Sequence, residues 1–433
     1  VPYPRPLRTA PLRTALLRTA LLRTALLRTA AIAATTLCTA TVALAPPAAA
    51  DSFADQCNFP NKVYPGRPWA LQRVLLDELW SQSKGKGVRV AVIDTGVDTQ
   101  NPQLAHAVDA SSGANFLPAK NRKGQKIDRG KANGTTDTVG HGTRVAGIIA
   151  ARPMAGTGFV GLAPEATIIP LKQNDAEGDG DAATLAQAIE RAIKEKAQVI
   201  NISQDTTNAV LPAGGLHDAI DDALAHEIVV VASAGNDGLD GNVKPTYPAS
   251  YPGVLAVAAS DRNNERASFS QSGDFVGVAA PGVDMISTVP KGGHCSDNGT
   301  SFSAPYVAGV AALIKAKHPG WTAREVVAQI EQTAERSVAG HDMLVGWGVV
   351  DPVRALTDDE HPIEKPDAHE GLSRAEAPTP ARLVLGETAD ERNARLATYV
   401  AVGAAVLVAA LAGAAVAVRD ARRRTAGGGV KEG

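Results

Sequence analysis

Three short stretches carry residue types that can do acyl chemistry together: Asp94-Thr95-Gly96, His141-Gly142-Thr143 and Gly299-Thr300-Ser301-Phe302-Ser303-Ala304-Pro305. A serine hydroxyl attacks an acyl carbon only when a base takes its proton. A histidine can do so near neutral pH, and a buried carboxylate fixes its tautomer and steadies the imidazolium. Each stretch alone has a plainer reading: Asp94 as a turn former, His141 as a helix-end histidine, Ser301 as an N-cap on a core helix. Together, each with a glycine beside it and in the order Asp, His, Ser, they predict a nucleophile, its base and the group that orients the base. Ser301 falls between a tight Gly-Thr turn and a run expected to be helical from Ser303 to about Lys317. The turn would hold the hydroxyl out toward a substrate carbonyl. The helix start would leave unpaired N–H groups aimed at a developing oxyanion.

Such groups must be positioned by strand ends and helix starts, and the surrounding sequence supplies both. Val88 to Ile93 reads as a buried strand between Gly85/Gly87 and Gly96, placing Asp94 at its end. Gly142 to Ala150 reads as a helix opened by His141. Strand-like Thr167–Leu171, Gln198–Ser203, Ile228–Ser233, Val254–Ala258 and Phe275–Ala279 alternate with helical Ala182–Lys196 and Gly215–His226, and Pro68–Trp80 has helical spacing. This alternation predicts an α/β fold, a doubly wound, mostly parallel sheet with helices on both faces. Reactive groups in such sheets gather at the carboxyl ends of strands.

Composition and the chain ends bound the setting. A formal net charge of −2 over 433 residues gives no sign of nucleic-acid binding. Leu-Arg-Thr-Ala recurs every five residues at the start, a period that fits neither helix nor strand. The apolar run Ala31–Ala45 and the small residues before Asp51 then read as a secretory signal, with cleavage expected after Ala50. The repeat reads as an overlong start to that signal, since the chain opens with Val. Of the three cysteines, Cys38 would be removed, and Cys57 and Cys295 are the pair left to form a disulfide in an exported chain. No metal site and no cofactor are expected, because no Cys-x-x-Cys or histidine pair at ligand spacing is present. Residues 357–395 are acidic and proline-bearing, as in a tether. Leu396 to Val418 is uncharged and long enough to cross a bilayer, and Arg419, Arg422, Arg423 and Arg424 follow, which orients the C-terminus to the cytoplasm. The expected organisation is a signal region over 1–50, an extension over 51–67, a catalytic domain over 68–356, the tether, a membrane helix over 396–418 and a cytoplasmic tail over 419–433. An extension this short cannot fold alone as an inhibitory pro-domain and is expected to be a permanent wrap.

The three motifs and their order resemble the subtilisin-type serine proteases over about residues 70–356. The resemblance implies Asp94, His141 and Ser301 as a triad. It aligns Ala234-Gly235-Asn236 with the family's oxyanion asparagine motif, where an amide at the end of strand 228–233 could donate to the oxyanion beside the Ser301 N–H. The plainer reading of Asn236 is a turn with Asp237-Gly238. It also implies that Ser203 and Gln204, with Ala234 and Gly235, line a cleft that pairs with extended peptide. Here Gln204-Asp205-Thr206 stand where the family usually has glycines. With Asn201-Ile202-Ser203-Gln204-Asp205, the cysteine-bearing extension and the C-terminal membrane helix, the chain resembles the mycosins, the membrane-anchored subtilisin-like proteases of type VII secretion in actinobacteria. That resemblance implies protein substrates and association with the secretion complex. A structural subunit with dispensable proteolysis is the alternative. A nutrient-scavenging protease fits poorly with an anchor.

Overall fold

The computed structural model describes residues 57–120, 123–175, 180–204, 214–241, 244–368 and 387–426. The expected signal segment, its Ala50 cleavage site and Cys38 lie outside these residues. The chain forms two compact units, divided between Glu370 and Gly371.

In the first unit, seven parallel strands form one sheet in the order β2-β3-β1-β4-β5-β6-β7. They are β1 (Arg89–Asp94), β2 (Ala114–Asn115), β3 (Thr167–Lys172), β4 (Val199–Ile202), β5 (Val229–Ser233), β6 (Leu255–Ser260) and β7 (Val276–Pro281). Alternation along each strand feeds two separate cores. Val90, Val92, Val229 and Val231 face one. Ala91, Ile93, Val230 and Ala232 face the other. A parallel sheet covered on both faces needs such nearly continuous apolar strands.

Helices α4 (Ala182–Lys194) and α5 (Gly215–Ala225) cover the second face. The first is covered by α3 (His141–Ala150), α6 (Thr300–Lys317), α7 (Ala323–Thr333) and α8 (Pro352–Thr357). From Phe302 to Lys315 every residue of α6 is buried. A helix apolar all round can only be a central one, and α6 packs against both α3 and the sheet.

Two parts differ from the sequence expectation. The helix expected over Pro68–Trp80 is broken into α1 (Trp69–Gln72) and α2 (Leu76–Gln82). In one continuous helix, at about 100° per residue, Leu75 would share the face of Leu71 and Leu76 would point away. The break reverses this: Leu76 is buried and Leu75 is 62% exposed. Between β7 and α6 the chain adds an antiparallel hairpin, β8 (Met285–Thr288) and β9 (His294–Asp297), turning through Gly292-Gly293.

The segment before α1 lies along this hairpin. Asn61 N–H donates to Gly292 O at 3.0 Å, His294 N–H to Lys62 O at 3.0 Å, and Cys57 is bridged to Cys295. Within the stretch 357–395 expected as a linker, Asp359 accepts from His318 at 2.6 Å and Asp367 N–H donates to Gln332 at 2.6 Å. In the second unit α9 (Ala389–Ala426) is the one helix among the described residues long and apolar enough to cross a membrane, with mean hydropathy 2.4 in its best window.

Candidate active site

Three adjacent strands deliver candidate residues to one edge of the sheet. β1 ends in Asp94, β4 leads into Ser203 and Gln204, and β5 leads into Ala234-Gly235-Asn236. His141 opens α3, whose start sits against the end of β1. The approach is so close that a Cβ on Gly142 would lie 2.2 Å from Gly96 O and 3.0 Å from the Asp94 Cβ. Gly96 itself has φ +103 and Thr136 O packed where a side chain would stand. The glycines beside the aspartate and the histidine are thus what lets the two side chains meet.

They do meet. His141 Nδ1 donates to Asp94 Oδ1 at 2.7 Å, and Asp94 is fully buried. The same oxygen accepts from Thr95 N–H at 2.7 Å. Burial of the imidazole opposes its protonation, but the Asp94 charge and hydrogen bond outweigh that and raise the His141 pKa above its ordinary value. Neutral His141, with Nδ1–H committed to the carboxylate, presents Nε2 as a base.

The start of α3 is capped by residues the sequence reading did not select. Buried Asp137 accepts from Gly140 N–H at 2.7 Å, Thr143 N–H at 2.9 Å and the Thr143 hydroxyl at 2.7 Å. It also accepts from the Thr95 hydroxyl at 2.9 Å, while Gly142 N–H donates to Thr95 Oγ1 at 2.9 Å. Burial raises the Asp137 pKa against these bonds. Lys172 Nζ, buried below, donates to Thr95 O at 2.8 Å. A carboxyl-bearing residue shortly before a helix start is the signal that could have found Asp137.

Ser301 lies in the first turn of α6, which begins at Thr300 and not at Ser303, with Gly299 as the N-cap. It is half-buried, and its neighbour Phe302 stands with its ring centroid 5.3 Å from that of His141. Among the described residues no hydrogen bond joins the Ser301 hydroxyl to His141, a looseness common before substrate tightens a site. Asn236 is exposed and oriented by the same helix start: its Oδ1 accepts from Thr300 N–H at 2.9 Å and the Thr300 hydroxyl at 3.1 Å. With the oxygen end so held, Asn236 Nδ2 makes no hydrogen bond among the described residues and keeps its donor capacity. Gly235 N–H donates to Thr300 Oγ1 at 3.2 Å, which ties it to the start of α6, and buried Ala234 donates its N–H to Val257 O at 2.9 Å, which ties it to β6. Ser203 is buried and accepts from Asn201 at 2.9 Å; Gln204 is half-buried at the strand end, and residues 205–213 lie outside the described set.

The subtilase family of peptidases matches residues 85–348, the span that holds every one of these groups. The chain belongs to the subtilase family. Subtilisin E of Bacillus subtilis (strain 168) is 38% identical over 287 residues, which cover 65% of this chain and 69% of that one. Among solved structures, MycP1 with its N-terminal propeptide removed is 35% identical, covering 67% of this chain and 97% of that chain with a TM-score of 0.58. The MycP3 protease of the type VII (ESX-3) secretion system is also 35% identical, covering 69% and 91% with a TM-score of 0.59. MycP1 from Mycobacterium smegmatis is 32% identical over 71% and 88%, with a TM-score of 0.60. This subtilase is therefore a serine endopeptidase related to the mycosins of type VII secretion.

Proposed function

We propose that this subtilase hydrolyses exported proteins at the outer face of a membrane, with Asp94, His141 and Ser301 as its triad and Asn236 as an oxyanion donor. The observation that carries the reading is the 2.7 Å bond from His141 to buried Asp94, at the same sheet edge where Thr300 orients Asn236 beside Ser301. In this reading His141 Nε2 takes the Ser301 proton as Oγ attacks the scissile carbonyl. The oxyanion is held by the Ser301 N–H and Asn236 Nδ2. His141 then protonates the leaving amine, and water repeats the cycle on the acyl-enzyme. Extended substrate pairs along Ser203 and Gln204. The raised His141 pKa puts the acidic limb of activity above the ordinary histidine value. Labelling by a fluorophosphonate, followed by peptide mapping, tests the assignment: the adduct is expected on Ser301 and lost in Ser301→Ala, and an adduct elsewhere refutes it.

α9 is the proposed anchor, with Arg419, Arg422, Arg423 and Arg424 on the cytoplasmic side and the catalytic unit outside. Association with a type VII secretion complex rests on the MycP relatives. A second reading, in which the chain is a structural part of that complex, is favoured by the description of a related MycP1 (32% identical) as an essential component of the ESX-1 system. Comparing Ser301→Ala, an anchor swapped for an unrelated transmembrane helix, and full deletion separates the two. Export lost in Ser301→Ala as in the deletion makes proteolysis essential. Export lost only in the deletion makes the domain a scaffold, and export lost on the swap makes the helix a partner-binding surface.

A further inference from the structure

We propose that Arg144 is a positioning residue for the proteolytic reaction: its guanidinium, held by Asp297, ties the helix that carries His141 to the turn that leads into Ser301. The proposal rests on the triad reading above. Arg144 lies three residues after His141 on α3, and its side chain is only 10% exposed. An interior guanidinium left unpaired is strongly destabilising, so what satisfies this one is informative. Nε donates to Gly140 O at 3.2 Å, Nη1 is ion-paired to Asp297 Oδ2, and Cζ stands 5.4 Å from the Phe302 ring centroid. Two of the three partners adjoin a proposed reacting residue, and the third ends the strand that leads to one. Gly140 precedes His141, Phe302 follows Ser301, and Asp297 ends β9 just before the Asn298-Gly299 turn. That turn is braced in its own right: Asp297 Oδ1 accepts from Asn298 N–H at 2.8 Å, and Asn298 Oδ1 accepts from Asp284 N–H at 2.6 Å.

The pair also shapes the field at the imidazole. Asp94 from β1 and Asp137 from the loop before α3 favour the imidazolium, and Arg144 opposes it. Lys172 from β3 lies beneath Thr95, and Asp297 from β9 partly neutralises Arg144. Removing the cation therefore stabilises the imidazolium, whereas removing Asp297 exposes the cation and does the reverse. A role limited to packing would not give opposite signs.

The test is the pH profile of fluorophosphonate labelling of Ser301 in the full chain in detergent, with rate at saturation and apparent affinity separated and folding checked by thermal unfolding. Arg144→Met is expected to lower the saturating rate roughly 10-fold or more at little change in affinity. It is also expected to move the acidic limb upward by roughly several tenths of a unit to one unit. Asp297→Asn is expected to move the limb downward. Arg144→Lys keeps the charge but not the planar fork, so its limb stays while its rate falls. Limbs moving the same way in Arg144→Met and Asp297→Asn, or a wild-type profile in folded Arg144→Met, overturn the proposal. Should Arg144→Met not fold, an upward limb in Asp297→Asn or a wild-type rate in Arg144→Lys does so. Wild-type protein that is not labelled at Ser301 overturns the triad reading and this one with it. Normal Ser301 labelling with unshifted variants overturns this one alone.

Discussion

Acid should loosen the catalytic unit through His294, a residue with no part in the proposed chemistry. Its ring is fully buried. Nδ1 accepts from Tyr64 N–H at 3.0 Å and Nε2 donates to Gln103 Oε1 at 2.7 Å, an arrangement only the neutral ring can make. Burial lowers its pKa to about 4. In the unfolded chain it would titrate near the ordinary value of about 6.5. Between those values the unfolded state binds the extra proton, so stability falls as pH falls from about 6.5 to about 4 and levels off below that, as far as this group is concerned. A gap of roughly 2.5 units at about 1.4 kcal/mol each gives a loss of roughly 3 kcal/mol across the window. The assay is urea unfolding at steps of pH in a Ser301→Ala background, which prevents self-cleavage, with and without His294→Gln. His141 and Asp137 titrate in both proteins, so the difference between the two curves isolates His294. The curves should converge toward acid by roughly 3 kcal/mol. Parallel curves over that window would refute the reasoning, since a histidine that pays no proton penalty is not held neutral by the fold.

Two further outcomes follow from the same geometry. Asn236→Ala should cost roughly 10²–10³ in kcat with KM nearly unchanged, because its amide would donate only to the transition state, and about 1 kcal/mol of stability, because Oδ1 accepts from Thr300 at the start of α6; unchanged turnover would remove it from the site. Breaking the Cys57–Cys295 bridge, which spans a sequence separation of 238, with a Cys57→Ser/Cys295→Ser pair should destabilise the unit by up to about 5 kcal/mol in the chain-entropy picture. Denaturant midpoints measure this, and a loss below about 1 kcal/mol would show that the segment from Cys57 is held by its hydrogen bonds to the hairpin alone.

Much of the architecture was legible because local sequence dictates it. The glycine-bounded apolar runs and the helices between them fix a parallel sheet, and Asp94 follows directly from a strand end, whereas Asn236 was marked by the family motif it resembles. The start of α7 was legible too, in the capping box of Thr322 and Glu325, although the sequence reading did not use it. The break between α1 and α2 was not. Apolar spacing over Pro68–Trp80 fits one helix, and only the core against which Leu76 and Leu79 pack decides that the chain must turn there. Nor could periodicity reveal the β8–β9 hairpin, whose strands are four residues each and mix polar with apolar positions.

The sequence by itself determined which residue types could do the chemistry, because a nucleophile, a base and a carboxylate beside glycines are readable as letters in order. Tertiary structure alone decided how those groups are held. Asp137, Thr95 and Thr143 cap the histidine helix, Thr300 turns the amide of Asn236, and Asp297 reaches Arg144 across 153 positions of chain. The physical reason is that hydrogen bonds and ion pairs act over a few ångströms in space, while a linear sequence records only neighbours along the chain.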